Sequence, residues 1–144
     1  MTVSYDFCDW VLERIMSNLG GKLQPDKVFD LRKKDLGQKI KKAVNTGLGA
    51  CVVVELGGIE PLGKLPDDTQ VEVEVNVAIC HNTSLLPSGT FDSRAFTESL
   101  YRLFAGTKFR QLEAMPNNVR VGRLMSQGED KMIHSFTLNY ITTL

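Results

Sequence analysis

Between Gln70 and Cys80 the chain alternates without a break. Val71, Val73, Val75, Val77 and Ile79 occupy one set of positions, and Glu72, Glu74, Asn76 and Ala78 the other. Successive side chains of a strand point to opposite faces, so this period of two describes one apolar face and one polar face. Such a strand belongs in a sheet that is packed on one side. Its other side meets water or a polar partner.

The remaining elements are read around that strand. Ser4 to Leu19 has amphipathic helical spacing, with Phe7, Val11, Ile15 and Leu19 on one row and Trp10 beside it; Gly20-Gly21 ends it. Leu23 to Leu31 is ambiguous, with Val28 and Phe29 suited to a short strand. Lys34 to Asn45 reads as a second helix with a narrow apolar stripe of Leu36, Ile40 and Val44. Ala50 to Leu56 is rich in β-branched residues and reads as a central strand covered on both faces. Gly57 to Asp68, with its glycines and prolines, reads as a long connection.

After a loop over His81 to Gly89, Thr90 or Asp92 can cap a helix running to Ala105 and ended by Gly106. Its buried face is Phe96, Leu100, Leu103 and Phe104. Pro116-Asn117-Asn118 forms a turn, and Val119 to Met125 and Ile133 to Thr142 form the arms of a hairpin. The expected fold class is α+β: a four-stranded, mainly antiparallel sheet with helices packed on one face, in a single domain over residues 1–144.

Bulk properties narrow the function. Lys plus Arg and Asp plus Glu both number 17, so the basic excess usual for a dedicated nucleic-acid binder is missing. Cys8, Cys51 and Cys80 are odd in number and lack CxxC spacing. The opening MTVSYDFCDW lacks a basic stretch followed by an apolar one. Together these suggest a reduced, cytoplasmic setting. The most apolar run, Ala50 to Val54, is too short to span a bilayer, so no membrane partner is expected.

Few residues suggest chemistry. Cys80-His81 is the only adjacent Cys/His pair, and neighbours on a strand point to opposite faces, which disfavours a nucleophile and its base. The expectation is a small buried cysteine beside an exposed imidazole. No HxxxH, CxxC or DxDxDG pattern is present, Asp67-Asp68 reads as a solvated turn, and Gly57-Gly58 and Gly63 match neither a dinucleotide fingerprint nor a P-loop. No cofactor, metal or catalytic residue is therefore expected. An assembly or binding component fits better than an enzyme.

The charges are segregated. Arg32, Lys33, Lys34, Lys39, Lys41 and Lys42 are countered locally by Asp30 and Asp35 only, while Glu55, Glu60, Asp67, Asp68, Glu72 and Glu74 form an acidic stretch relieved by Lys64. Oppositely charged surfaces on one neutral chain can meet head to tail, or can simply serve solubility. The candidate subunit interface is Glu72, Glu74 and Asn76 on the strand with Lys39, Lys41 and Lys42 on the helix. The alternative is a small regulatory or nucleic-acid-binding domain that uses the lysine-rich helix 33–42 against phosphates.

The layout carries a resemblance. An N-terminal amphipathic helix leads to a strand ending in VVVELGG; VEVEVNVAIC, FDSRAFTESLYRLFAG and a closing HSFTLNYITTL follow. From Tyr5 to Thr142 this resembles the tail terminator or tail completion proteins of long-tailed phages, including those of Mu-like prophages. The resemblance implies a non-enzymatic, ring-forming homo-oligomer, typically a hexamer. Such a ring caps the tail tube, stops its polymerisation and presents a joining surface to the head–tail connector. It implies assembly in the cytoplasm and a final place in the virion tail. The tail tube protein, the connector proteins and other copies of the chain would be the partners.

Overall fold

The computed structural model describes residues 3–61, 70–85, 91–105 and 119–143. The elements in chain order are α1 (Val3–Met16), a single 3-10 turn (Pro25–Lys27), β1 (Val28–Asp30), α2 (Gly37–Asn45), β2 (Ala50–Pro61), β3 (Gln70–Asn82), α3 (Ser93–Phe104), β4 (Val119–Val121), β5 (Met125–Gln127) and β6 (Lys131–Thr143). The strands form one sheet in the order β1-β2-β3-β6-β4, with β5 also paired to β6. β1 runs parallel to β2, and the other pairings are antiparallel. The α+β class holds, but among the described residues the sheet has six strands rather than four.

Two pairings account for the extra strands. Val28-Phe29-Asp30 aligns with Val52-Val53-Val54 and becomes an edge strand. The first arm of the closing hairpin is interrupted: Val121 lies opposite Leu138 and Met125 opposite Ser135, so four steps on one side match three on the other. Such a slip is a bulge, and it divides the arm into β4 and β5. The turn falls where expected, with Gly128 at φ 96°; a Cβ there would lie 2.1 Å from the Lys131 carbonyl oxygen.

A similar slip extends β2 beyond its expected end. Leu56 pairs with Val75 and Ile59 with Val73, so Gly57-Gly58 carries a bulge within a continuing strand. A side chain at Gly57 would bring a Cβ to 3.0 Å from the Glu74 carbonyl oxygen. Glycine is therefore set by the close approach of β3, and the expected long connection is a strand as far as Pro61, its remainder to Asp68 lying outside the described residues. Asp67-Asp68, Gly63, Thr90, Gly106 and the Pro116–Asn118 turn lie outside the described residues.

The alternation of β3 sorts the helices. Val73, Val75, Val77 and Ile79 are fully buried and share a core with Phe7, Val11 and Ile15 of α1 and Phe96, Leu100 and Phe104 of α3. Aromatic contacts cross this layer: Phe7 stacks on Tyr140 at 5.2 Å between centroids, and Trp10 meets Phe104 edge-on at 5.7 Å. Asp92 caps α3, its side chain accepting the Ala95 amide at 2.9 Å.

The helices do not all lie on one face. α2 packs on the opposite side, where Leu36 and Ala43, with Ile40 and Val44, cover Phe29, Cys51, Val53 and Cys80. A central strand such as β2 is apolar on both faces, and Cys51 and Val53 face away from the main core. Their exposure to water is what α2 removes.

Arg32 fastens the segment between β1 and α2 to α1. Its guanidinium donates to both carboxylate oxygens of Asp30, reaches Asp9 and the Tyr5 carbonyl oxygen on α1, and lies 5.2 Å from the Tyr5 ring centroid. Burial by itself would raise the Asp30 carboxyl, but the Arg32 hydrogen bonds outweigh it and hold the group below its usual range. Removing the fork leaves a mostly buried carboxylate without its cation. Arg32→Ala is expected to lower the unfolding free energy by about 1.5–3 kcal/mol, with Arg32→Lys recovering only part of it. Urea denaturation checks this, and an Arg32→Ala midpoint equal to wild type would show that the clasp contributes nothing.

Candidate functional site

The polar face of β3 is covered by α2 at one end only. Past Ala78, the face carries Asn76, Glu74 and Glu72 on β3, with Glu55 opposite Asn76 and Glu60 opposite Glu72 on β2. On the other side Thr137, Asn139 and Ile141 of β6 lie opposite Asn76, Glu74 and Glu72. The Thr137 hydroxyl donates to the Asn76 amide oxygen at 2.9 Å, and Arg120 of β4 lies opposite Asn139. A shallow depression of about 210 Å³ is lined by Gly58, Ile59, Glu60, Glu72, Glu74 and Asn139. Glu72, Glu74 and Asn76 are half-buried by their sheet neighbours, whereas Glu55 and Glu60 are exposed.

Lys39, Lys41 and Lys42 are all exposed on α2, and Lys33 and Lys34 are exposed just before it. Among the described residues the ion pairs are those of Arg32 with Asp9 and Asp30, and of Arg94 with Glu98. None of these lysines and none of the sheet-face glutamates takes part. The fold thus gathers each half of the predicted interface into its own patch on the same side of the sheet. It does not bring the two halves together within one chain.

The Cys80-His81 pair separates as strand geometry requires. Cys80 faces α2 and lies opposite Cys51. His81 is on the other face, edge-on to Phe91 at 5.1 Å, and is buried rather than exposed as expected. The hydrogen bond from the Cys51 thiol lowers Cys80 and raises Cys51, while burial lifts Cys8 to about 11. No Cys–His dyad forms.

Sequence reading missed a polar network around His134. This residue is 2% exposed in β6, with Nε2 3.0 Å from the Ser93 hydroxyl at the start of α3 and Nδ1 2.7 Å from the Ser126 hydroxyl of β5. Arg94 donates to the same Ser126 oxygen. The only signal in the sequence was a histidine in an otherwise alternating strand, where its inward parity placed it among Phe136, Leu138 and Tyr140. Ser93 is itself buried while Ser126 is exposed, so the network ties the start of α3 to the hairpin from a covered end to an open one.

Among the described residues, no group of three or more His, Cys, Asp or Glu side chains is placed to hold a metal, and no helix is long and apolar enough to cross a membrane. In comparison with known proteins, no protein-family model and no curated sequence matches this chain.

Burial lowers both His81 and His134, and for His134 the charges of Arg94 and His81 add to it, against an opposing effect of Asp92. Histidines with depressed folded pKa values bind more protons in the unfolded chain. Their contribution is fully present above about pH 6.5, the unfolded value, and is lost as pH falls toward the folded values. Stability is expected to decline below pH 6.5, and His134→Gln to flatten that decline whatever its own stability at pH 8. Thermal melts across this range decide it; an equal slope in wild type and variant would remove His134 as the cause.

Proposed function

We propose that the protein is a structural assembly component of the tail-terminator type. Identical copies form a ring in which the acidic sheet face of one copy meets the lysine face of α2 on the next. The single observation carrying this reading is the pairing of surfaces. A half-covered sheet face bearing Glu55, Glu60, Glu72 and Glu74 lies on the same side as an α2 bearing Lys39, Lys41 and Lys42. Neither patch is neutralised by an ion pair among the described residues. Two different patches make a heterologous contact, and such a contact closes into a ring when the rotation between copies divides a full turn. In this reading the role is non-enzymatic. The ring, a hexamer by the resemblance, caps the tail tube and contacts the tube protein and the head–tail connector in the virion tail.

A second reading is supported by the same exposed lysines, which can contact nucleic-acid phosphates. Salt-sensitive DNA binding by a monomer, lost in Lys39→Gln/Lys41→Gln/Lys42→Gln, would favour it.

Light scattering on the eluting protein tests the ring. Wild type is expected to give a discrete oligomer that loosens at high salt, because exposed charges are screened beyond about 8 Å at physiological ionic strength. Glu72→Lys/Glu74→Lys and Lys39→Glu/Lys41→Glu/Lys42→Glu are each expected to be monomeric, and their equimolar mixture to recover an oligomer. Unchanged mass in both charge-reversed variants would defeat the proposed contact.

A further inference from the structure

Cys51 and Cys80 are direct cross-strand neighbours on two interior strands, near the end of the sheet that α2 covers. The Asn82 amide bonds the Gly49 carbonyl oxygen at 2.8 Å two positions along, which makes 51 and 80 a hydrogen-bonded pair of the ladder. Such pairs have Cα atoms about 5.5 Å apart, within the roughly 4.4–6.8 Å that a disulfide spans. Their Cβ atoms are wider apart than a relaxed disulfide prefers, so a bridge here would be strained and easily reduced.

The two thiols differ in access. Cys51 is fully buried under α2, whereas Cys80 is partly exposed and lies opposite Ile133, itself 37% exposed. Cys8 is buried in the core on the opposite face of the sheet and cannot reach either.

We propose that Cys80 and Cys51 are a reversible redox-modification site, with Cys80 the thiol that meets a small hydroperoxide and Cys51 the thiol that resolves it. The Cys80 thiolate attacks one oxygen of hydrogen peroxide. An S–O bond forms, the O–O bond breaks, and the departing hydroxide takes up the proton released when the Cys80 thiol ionised, leaving as water. The Cys51 sulfur then attacks the sulfenic sulfur. The S–S bond forms, the S–O bond breaks, and a second water carries off the Cys51 proton. Two electrons pass from the sulfurs to the peroxide, and a dithiol reductant reverses the change. The hydrogen bond from Cys51 supports the assignment by favouring the Cys80 thiolate. This site is independent of the ring reading, since it needs one chain only.

The test is a non-reducing peptide map of folded wild-type protein after brief exposure to a modest excess of hydrogen peroxide. The expected result is a loss of two hydrogens from the intact mass, a single Cys51–Cys80 link with Cys8 free, and full reversal by dithiothreitol. In Cys51→Ala, dimedone is expected to trap a sulfenic acid at Cys80, and in Cys80→Ala the Cys51 thiol is expected to stay unlabelled. No link in the folded wild type, a link that includes Cys8, or equal dimedone labelling of Cys51 in Cys80→Ala would overturn the proposal. The wild-type map stands even where a variant fails to fold.

Discussion

The structure depends on β3 being paired on both sides, with β6 along its whole length and with β2 along most of it. Every residue from Gln70 to Asn82 has a partner on β6, and most have one on β2. A strand held this way has no freedom to slip, because a shift of one residue would turn Val73, Val75, Val77 and Ile79 to the polar side and Glu72, Glu74 and Asn76 into the core. Fixing that register fixes the position of α1 and α3, which can only bury their apolar rows on the valine side. It also fixes which carboxylates share a surface. The acidic patch is therefore a consequence of the core rather than a separate feature.

Much of this was legible in the sequence because it rests on local periodicity. The alternation of β3, the helical rows of Phe7, Val11 and Ile15, and the Asp92 cap are all encoded within a few residues. The errors came from non-local events. Gly57-Gly58 has the composition of a chain break, yet it is a bulge inside a strand, because what decides it is the approach of Glu74 from the neighbouring strand. Val28 to Asp30 is too short to declare itself until β2 offers it an edge. The placement of α2 followed from Cys51 and Val53 pointing away from the main core, and only the pairing register shows which residues of an all-apolar run face which way.

The candidate site was legible to the same degree. Its residues were named from charge blocks, and register then placed the glutamates in one patch. Nothing local could show that the lysine and glutamate patches stand apart on one side of the sheet. The histidines show the converse. His81 looked like a solvent-exposed strand end and His134 drew no reading at all, but both are inward by parity and buried. A buried imidazole needs partners for its ring nitrogens, and the hydroxyls of Ser93 and Ser126 come from elements 41 and 8 residues away in the chain. Partners so distant cannot be read from spacing.

α2 links the two proposals physically. At nine residues it is shorter than the about 12–15 that an isolated helix needs in water, so its helicity relies on packing. That packing is thin: Leu36 and Ala43, with the half-buried Ile40 and Val44, rest on a floor that includes Cys51 and Cys80. The lysines projecting from its outer side therefore take their position from the strands below. A covalent bond between the two sulfurs would draw β2 and β3 together directly under this helix, at the one part of the sheet's polar face that is covered. A change in the floor and the placement of the basic surface are consequently one mechanical problem, solved by a handful of apolar contacts on a short helix.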